Sequence, residues 1–265
     1  MKWLLRKLGE RLAKYLSTPL PGDARGATSP PEKLAGALEP GDVLLIEGHT
    51  RVSGAIKYLT QSTWSHAALY VGDALGAPPE GEEPKVLVEA DLREGVRAVT
   101  LSHFAGLHTR ICRPVGLTAE DLRTVVQFAV KSIGEAYDLK NLVDLARYLL
   151  PQPPVPQRFR RRMIALGSGD PTRAICSTMI AEAFGRVRYP ILPIWTPPKP
   201  GAGEAQAQEE LLHIRHHSLY VPRDFDISPY FAIVKPNLAH GFDYKKLRWA
   251  DAEAVKKPAS PLDPS

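Results

Sequence analysis

Five short apolar runs between residues 40 and 115 constrain this chain more than any other feature. "LEPGDVLLIEG" opens the series, with Pro40-Gly41-Asp42 as a turn signal and Val43 to Ile46 as a short buried strand. "SHAALYVG" (65–72) is a second strand, ended by Gly72-Asp73. "KVLVEADL" (85–92), "GVRAVTL" (95–101) and "HTRICRPV" (108–115) supply a third, fourth and fifth. "RVSGAIKYLTQS" (51–62) reads as a short helix between the first two. Short adjacent strands with helices at their edges predict an α+β fold built on an antiparallel sheet.

Helices follow the strands. "TAEDLRTVVQFAVKSIG" (118–134) opens with a Thr cap and acids in its first turn and closes on Gly134. "NLVDLARYLL" (141–150) is a helix stopped by Pro151, and residues 174–185 form another. "YVPRDFDISPYFAIV" (220–234) reads as a turn and a final strand. The 25 prolines cluster at 19–40, 151–156, 190–200 and 258–264, which marks extended loops between ordered segments. The expected organisation is a basic helix over 1–16, a linker over 17–39, one folded domain over 40–249 and a disordered tail over 250–265. Insertions at 151–172 and 195–210 interrupt the domain.

Composition excludes several classes. Apolar residues at 44% and charged residues at 24% are ordinary for a soluble globular protein. Two cysteines make no disulfide framework, so a reducing, cytoplasmic setting is expected. No run of about 18 apolar residues is present to cross a membrane. The net charge of +5 is moderate, and "RFRRR" (158–162) reads as solvated surface, so no nucleic-acid partner is expected. "HIRHH" (His213, His216, His217) lacks a cysteine or acid at matching distance and reads as a solvated loop, so no metal or other cofactor is expected.

Residues 1–16, "MKWLLRKLGERLAKYL", separate into two faces at helical spacing. Leu4, Leu5, Leu8, Leu12, Tyr15 and Leu16 share an arc of roughly 120°, and Lys2, Arg6, Lys7, Glu10, Arg11 and Lys14 lie opposite. Trp3 falls off the apolar arc. Charges interrupt any signal-peptide core. The pattern suits either an anionic membrane surface, giving a peripheral location, or packing of the apolar face on the chain's own domain.

The residues with chemical potential are few. In "RAICSTMIAEAF" (173–184), Cys176 stands where a helix begins. It is either a small buried hydrophobe or a nucleophile whose thiolate gains from backbone N–H groups and the helix dipole. Cys112 alternates as a strand residue does and reads as structural. His66 lies near the start of the second strand, a position for a base or for a satisfied structural histidine. Glu89 shares one side of the third strand with Leu87. An acid in that apolar setting costs several kcal/mol unless paired, so it is either the imidazole's partner or an edge acid facing water. Tyr137, in "GEAYD", is a candidate substrate wall or oxyanion donor, or a core aromatic.

"GDVLL", "SHAALYVG", "VEA", a helix ending near "GEAYD" and then "ICSTMIAEAF" together resemble the permuted papain-like cysteine hydrolases of the YiiX/YebB type. These are the circularly permuted branch of the NlpC-type superfamily, related to the lecithin retinol acyltransferase group. The resemblance covers roughly residues 40–235. It implies an antiparallel barrel-like sheet packed on the helix that carries Cys176, with the permuted catalytic domain at 40–249. It also implies a triad of Cys176, His66 and Glu89. The implied activity is thiol-dependent hydrolysis or acyl transfer at an amide or ester carbonyl. The implied substrates are cell-wall-type peptides, amino-acid conjugates or acyl lipids. The competing reading is a non-catalytic, membrane-associated binding module on the same fold.

Overall fold

The structure, a computed structural model, describes residues 29–91, 94–135, 175–196, 211–213 and 220–239, with a few isolated positions such as Tyr15 and residues 17–19. Its elements in chain order are α1 (Pro31–Ala37), β1 (Val43–Glu47), α2 (Arg51–Thr60), β2 (His66–Tyr70), β3 (Lys85–Asp91) and β4 (Gly95–Thr100). A 3-10 turn (Leu101–Phe104), β5 (His108–Pro114), α3 (Ala119–Lys131) and α4 (Ile175–Arg186) come next. The series ends with β6 (Ile194–Thr196), β7 (Leu211–His213), α5 (Pro222–Asp226), β8 (Phe231–Val234) and α6 (Pro236–Ala239).

Six strands form one antiparallel sheet in the order β4-β3-β2-β1-β5-β8. The expected α+β antiparallel architecture is present, but the sheet is open: β4 and β8 are its edges, and it does not close into a barrel. β1 lies in the middle, which explains why all five of its residues are buried. Its side chains alternate between faces. Val43 and Leu45 join a core with Val88, the α3 residues Val125 and Ala129, and the α4 residues Ile180 and Phe184. Leu44 and Ile46 join a second core with Leu87, Ile111, Phe104 and the α1 residues Leu34 and Ala37.

That second core corrects the expected linker over 17–39. Pro31–Ala37 is helical, and Pro31 at its first position suits a helix start, where a missing N–H removes no hydrogen bond. Because α1 covers the second face, β2 is covered on both sides: Ala67, Ala68 and Leu69 are all fully enclosed. The loop expected over 195–210 also begins later, since Trp195 and Thr196 pair with Leu212 and Leu211 in a two-stranded ribbon. His213 closes that ribbon opposite Ile194 instead of lying in a loop. The turn expected near 222 is the short helix α5. Lying outside the described residues are residues 1–14 and 16 of the basic helix, the 141–150 helix, the 151–172 insertion, residues 197–210, His216, His217, Tyr137 and the 250–265 tail.

Two local devices seat the sheet. Gly41 turns into β1 at φ +92, and a Cβ there would meet Leu122 at 2.6 Å. The next residue, Asp42, is buried and takes a two-pronged contact from Arg113 on β5, Nε to Oδ1 at 2.9 Å and Nη2 to Oδ2 at 2.8 Å. Arg113 Nη2 also donates to the Ala37 carbonyl at 2.6 Å, which ties the end of α1 to the same point.

Candidate active site

Cys176, His66 and Glu89 come together at one end of the sheet. Cys176 is the second residue of α4, which packs across β2 and β3. The N–H groups of a first helical turn have no acceptor within their helix, so the thiol stands beside the positive end of the helix dipole. Ser177 fixes that turn: it is fully buried, and its hydroxyl donates to the Tyr220 carbonyl at 2.7 Å. Two residues beyond Tyr220 the chain enters α5.

His66 opens β2. Trp64 sets its approach, with a buried ring whose Nε1–H donates to Asp226 Oδ2 at 3.0 Å. Arg110 donates to the other oxygen of Asp226 at 2.5 Å and lies over the Trp64 ring. The His66 imidazole hydrogen-bonds to the Cys176 thiol and, through Nε2, to Glu89 Oε2 at 2.5 Å. Nδ1 is therefore the nitrogen left for sulfur. The Phe104 ring lies 5.9 Å from the imidazole, centre to centre. Burial alone would lower the imidazole pKa, but Cys176 and Glu89 override it and raise the value from 6.5 to about 10. The histidine is thus held as an imidazolium against the sulfur.

Glu89 is buried, at 2% exposure. Burial alone would raise its carboxyl pKa, yet the contacts of His66 and Arg97 bring it down from 4.5 to about 2. The acid is the imidazole's partner and not an edge acid facing water. Cys112 lies at zero exposure inside the core under β5, and burial pushes its thiol well above the ordinary range.

Arg97 is a member of this group that reading strand residues one by one missed. It stands directly across from Glu89 in the β3–β4 register, so both side chains leave the same face. Its Nε donates to Glu89 Oε1 at 2.8 Å, and its Nη2 lies 2.7 Å from the same oxygen. A signal was available: Asp91 pairs with Gly95 across the turn, and residues 89 and 97 lie equally far from it. His103 was missed too. Its Nε2 is 3.6 Å from Glu89 Oε1, and its ring meets Phe104 edge-on at 4.9 Å. Among the described residues no group of three or more His, Cys, Asp or Glu could hold a metal ion.

A buried thiol at a helix start, an imidazole in contact with it and an ionised carboxylate behind the imidazole make an arrangement of the kind that acyl chemistry requires. Residues 37–148, which include His66, Glu89 and Arg97 and end before Cys176, match the family described as permuted papain-like amidase enzyme, YaeF/YiiX. A curated relative, "Probable lipoprotein peptidase YaeF" of Escherichia coli (strain K12), is 24% identical over 170 residues, covering 58% of this chain. The chain spans 58% of that relative's length. The crystal structure of metalloprotein YiiX from Escherichia coli O157:H7 superposes with a TM-score of 0.43 at 16% identity, covering 75% of this chain and 97% of that one. The segment that carries His66 and Glu89, though not the one that carries Cys176, is thus similar to the permuted papain-like amidases of the YaeF/YiiX family.

Proposed function

We propose that the protein is a thiol hydrolase of amide bonds, with Cys176 as nucleophile, His66 as general base and acid, and Glu89 as the group that orients the imidazole. The observation that carries this reading is the double engagement of His66, on the Cys176 thiol and on Glu89 Oε2 at 2.5 Å.

The sulfur attacks the amide carbonyl, and the developing oxyanion is met by the backbone N–H of Cys176. The imidazolium gives its proton to the departing amine, leaving a thioester on Cys176. His66, now neutral, removes a proton from water, and the resulting attack releases the acid and restores the sulfur beside the imidazolium. Throughout, Glu89 Oε2 accepts a hydrogen bond from Nε2–H and stabilises each imidazolium that forms. The family description as amidases and the relative's name as a peptidase support a peptide or amino-acid conjugate as substrate.

The test uses the two thiols as internal controls. Limiting iodoacetamide near pH 6, followed by mass-spectrometric mapping, is expected to label Cys176 in preference to Cys112. His66→Ala is expected to slow the Cys176 reaction, because the thiolate loses its counter-ion. Preferential labelling of Cys112 overturns the reading.

A further inference from the structure

We propose that Arg97 is a positioning residue of this site: by clamping Oε1 of Glu89 it keeps Oε2 aimed at Nε2 of His66. The inference rests on the reading of Cys176, His66 and Glu89 as the hydrolytic group.

A carboxylate held at one oxygen pivots about its own axis. Glu89 is held at both, with His66 on Oε2 and two guanidinium nitrogens of Arg97 on Oε1. The guanidinium is itself fixed. Nη1 pairs with Glu94 Oε1 at 2.9 Å, and Nη2 lies 3.3 Å from His103 Nε2 and 3.8 Å from Asp91 Oδ2. The planar fork thus reaches three carboxylates at once, which a lysine ammonium at the end of a flexible stem reproduces poorly.

Strand β4 does not need this arginine for its place. It has a full ladder with β3, and its outer edge exchanges backbone hydrogen bonds with the segment after α3, Gly134 N–H to Val96 C=O at 2.8 Å and Val96 N–H to Glu135 C=O at 3.0 Å. Arg97 is about one-quarter exposed and contacts the imidazole only through Glu89. Its effect on the thiol is therefore relayed: guanidinium to carboxylate, carboxylate to imidazole, imidazole to sulfur. The charged and titratable groups facing Glu89 are His66 from β2, Arg97 from β4 and His103 from the 3-10 turn, while Cys176 from α4 faces His66.

Two effects follow from removing the clamp. Glu89 regains freedom, so the imidazole loses a fixed orientation. The acid also takes up its proton at a higher pH, because one of the groups that lowers its pKa is gone.

The experiment measures the rate of Cys176 alkylation by iodoacetamide from pH 3 to 10, with melting temperature at each pH, for the full chain and for Arg97→Gln and Arg97→Lys. Arg97→Gln is expected to slow alkylation at pH 6 by about tenfold or more, the scale on which orienting partners act. Its acid edge is expected to move up toward the ordinary carboxylate value of 4.5. Arg97→Lys is expected to keep the acid edge near that of the native chain and to recover only part of the rate. A native rate and native acid edge in Arg97→Gln overturn the proposal, as does a loss of rate that follows melting temperature with the edge unmoved. If the native chain shows no preference for Cys176 over Cys112, the hydrolytic reading falls and this one falls with it. A reactive native Cys176 with an indifferent Arg97→Gln removes the Arg97 role alone.

Discussion

At the scale of single residues, Glu89 couples the site to the stability of the fold. Its carboxyl titrates at about 2 in the folded protein against an ordinary 4.5. A lowered folded-state pKa means that the native state holds the charged form more tightly. The stabilisation is fully present above about 4.5 and is lost as pH falls toward 2, on the order of 3 kcal/mol in all. Urea denaturation of the native chain and of Glu89→Gln at pH 7 and pH 3 is expected to show a stability gap that narrows at the lower pH. A gap independent of pH would mean that Glu89 does not ionise in this way. Glu89 was legible in the sequence because an acid amid Val86, Leu87 and Val88 demands a partner. His66 and Cys176 were legible from their places at element starts. Arg97 was not, because its role depends on which residue faces it across the hairpin. Register becomes visible only when the two strands are read together.

At the scale of elements, α4 matters through its first turn more than its length. The Ser177 hydroxyl joins that turn to the Tyr220 carbonyl inside the core. Ser177→Ala removes this hydrogen bond from the core, at a cost of about 1 kcal/mol. Because the next residue toward the N-terminus is Cys176, the proposed nucleophile, the same change is expected to slow its alkylation. Differential scanning calorimetry and labelling kinetics on this variant check both halves, and an unchanged labelling rate at reduced stability would confine Ser177 to packing. Strands β1 to β5 and helices α2 and α3 follow from local pattern, with the Thr50 and Thr118 side chains accepting from Ser53 N–H and Asp121 N–H as caps. Helices α1 and α5 did not. Each is short and starts at proline, so each reads locally as linker or turn, and only burial of Leu34, Ala37 and Phe225 makes it an element.

At the scale of the whole molecule, the sheet is covered on both faces, and the site sits where the two covers meet at one end. Cys176 arrives on α4 with the first core, while Glu89 and Arg97 leave the sheet on the face of the second. His66 at the strand start bridges them, so a covered sheet still presents its thiol at an edge. The N-terminal segment approaches the turn that follows β1, at the same end of that strand as His66. Arg51 N–H donates to the Thr18 carbonyl at 3.0 Å, Pro19 bridges Thr50, and the Arg51 guanidinium lies 4.6 Å over the Tyr15 ring. No helix among the described residues is long and apolar enough to cross a membrane. A leucine arc backed by Lys and Arg over 1–16 nevertheless suits the surface of an anionic bilayer, where each basic residue contributes about 1 kcal/mol. Co-sedimentation with phosphatidylserine-containing vesicles separates this from self-packing. The shortened comparison chain begins at Ser29 and not within α1, because Leu34 and Ala37 belong to the core. The full chain is expected to sediment and to lose binding in high salt, since exposed charges are screened beyond roughly 8 Å at physiological ionic strength. Equal sedimentation of the two chains would place the leucine arc against the protein itself, and a soluble peptide would then suit the thiol better than a substrate held at a membrane.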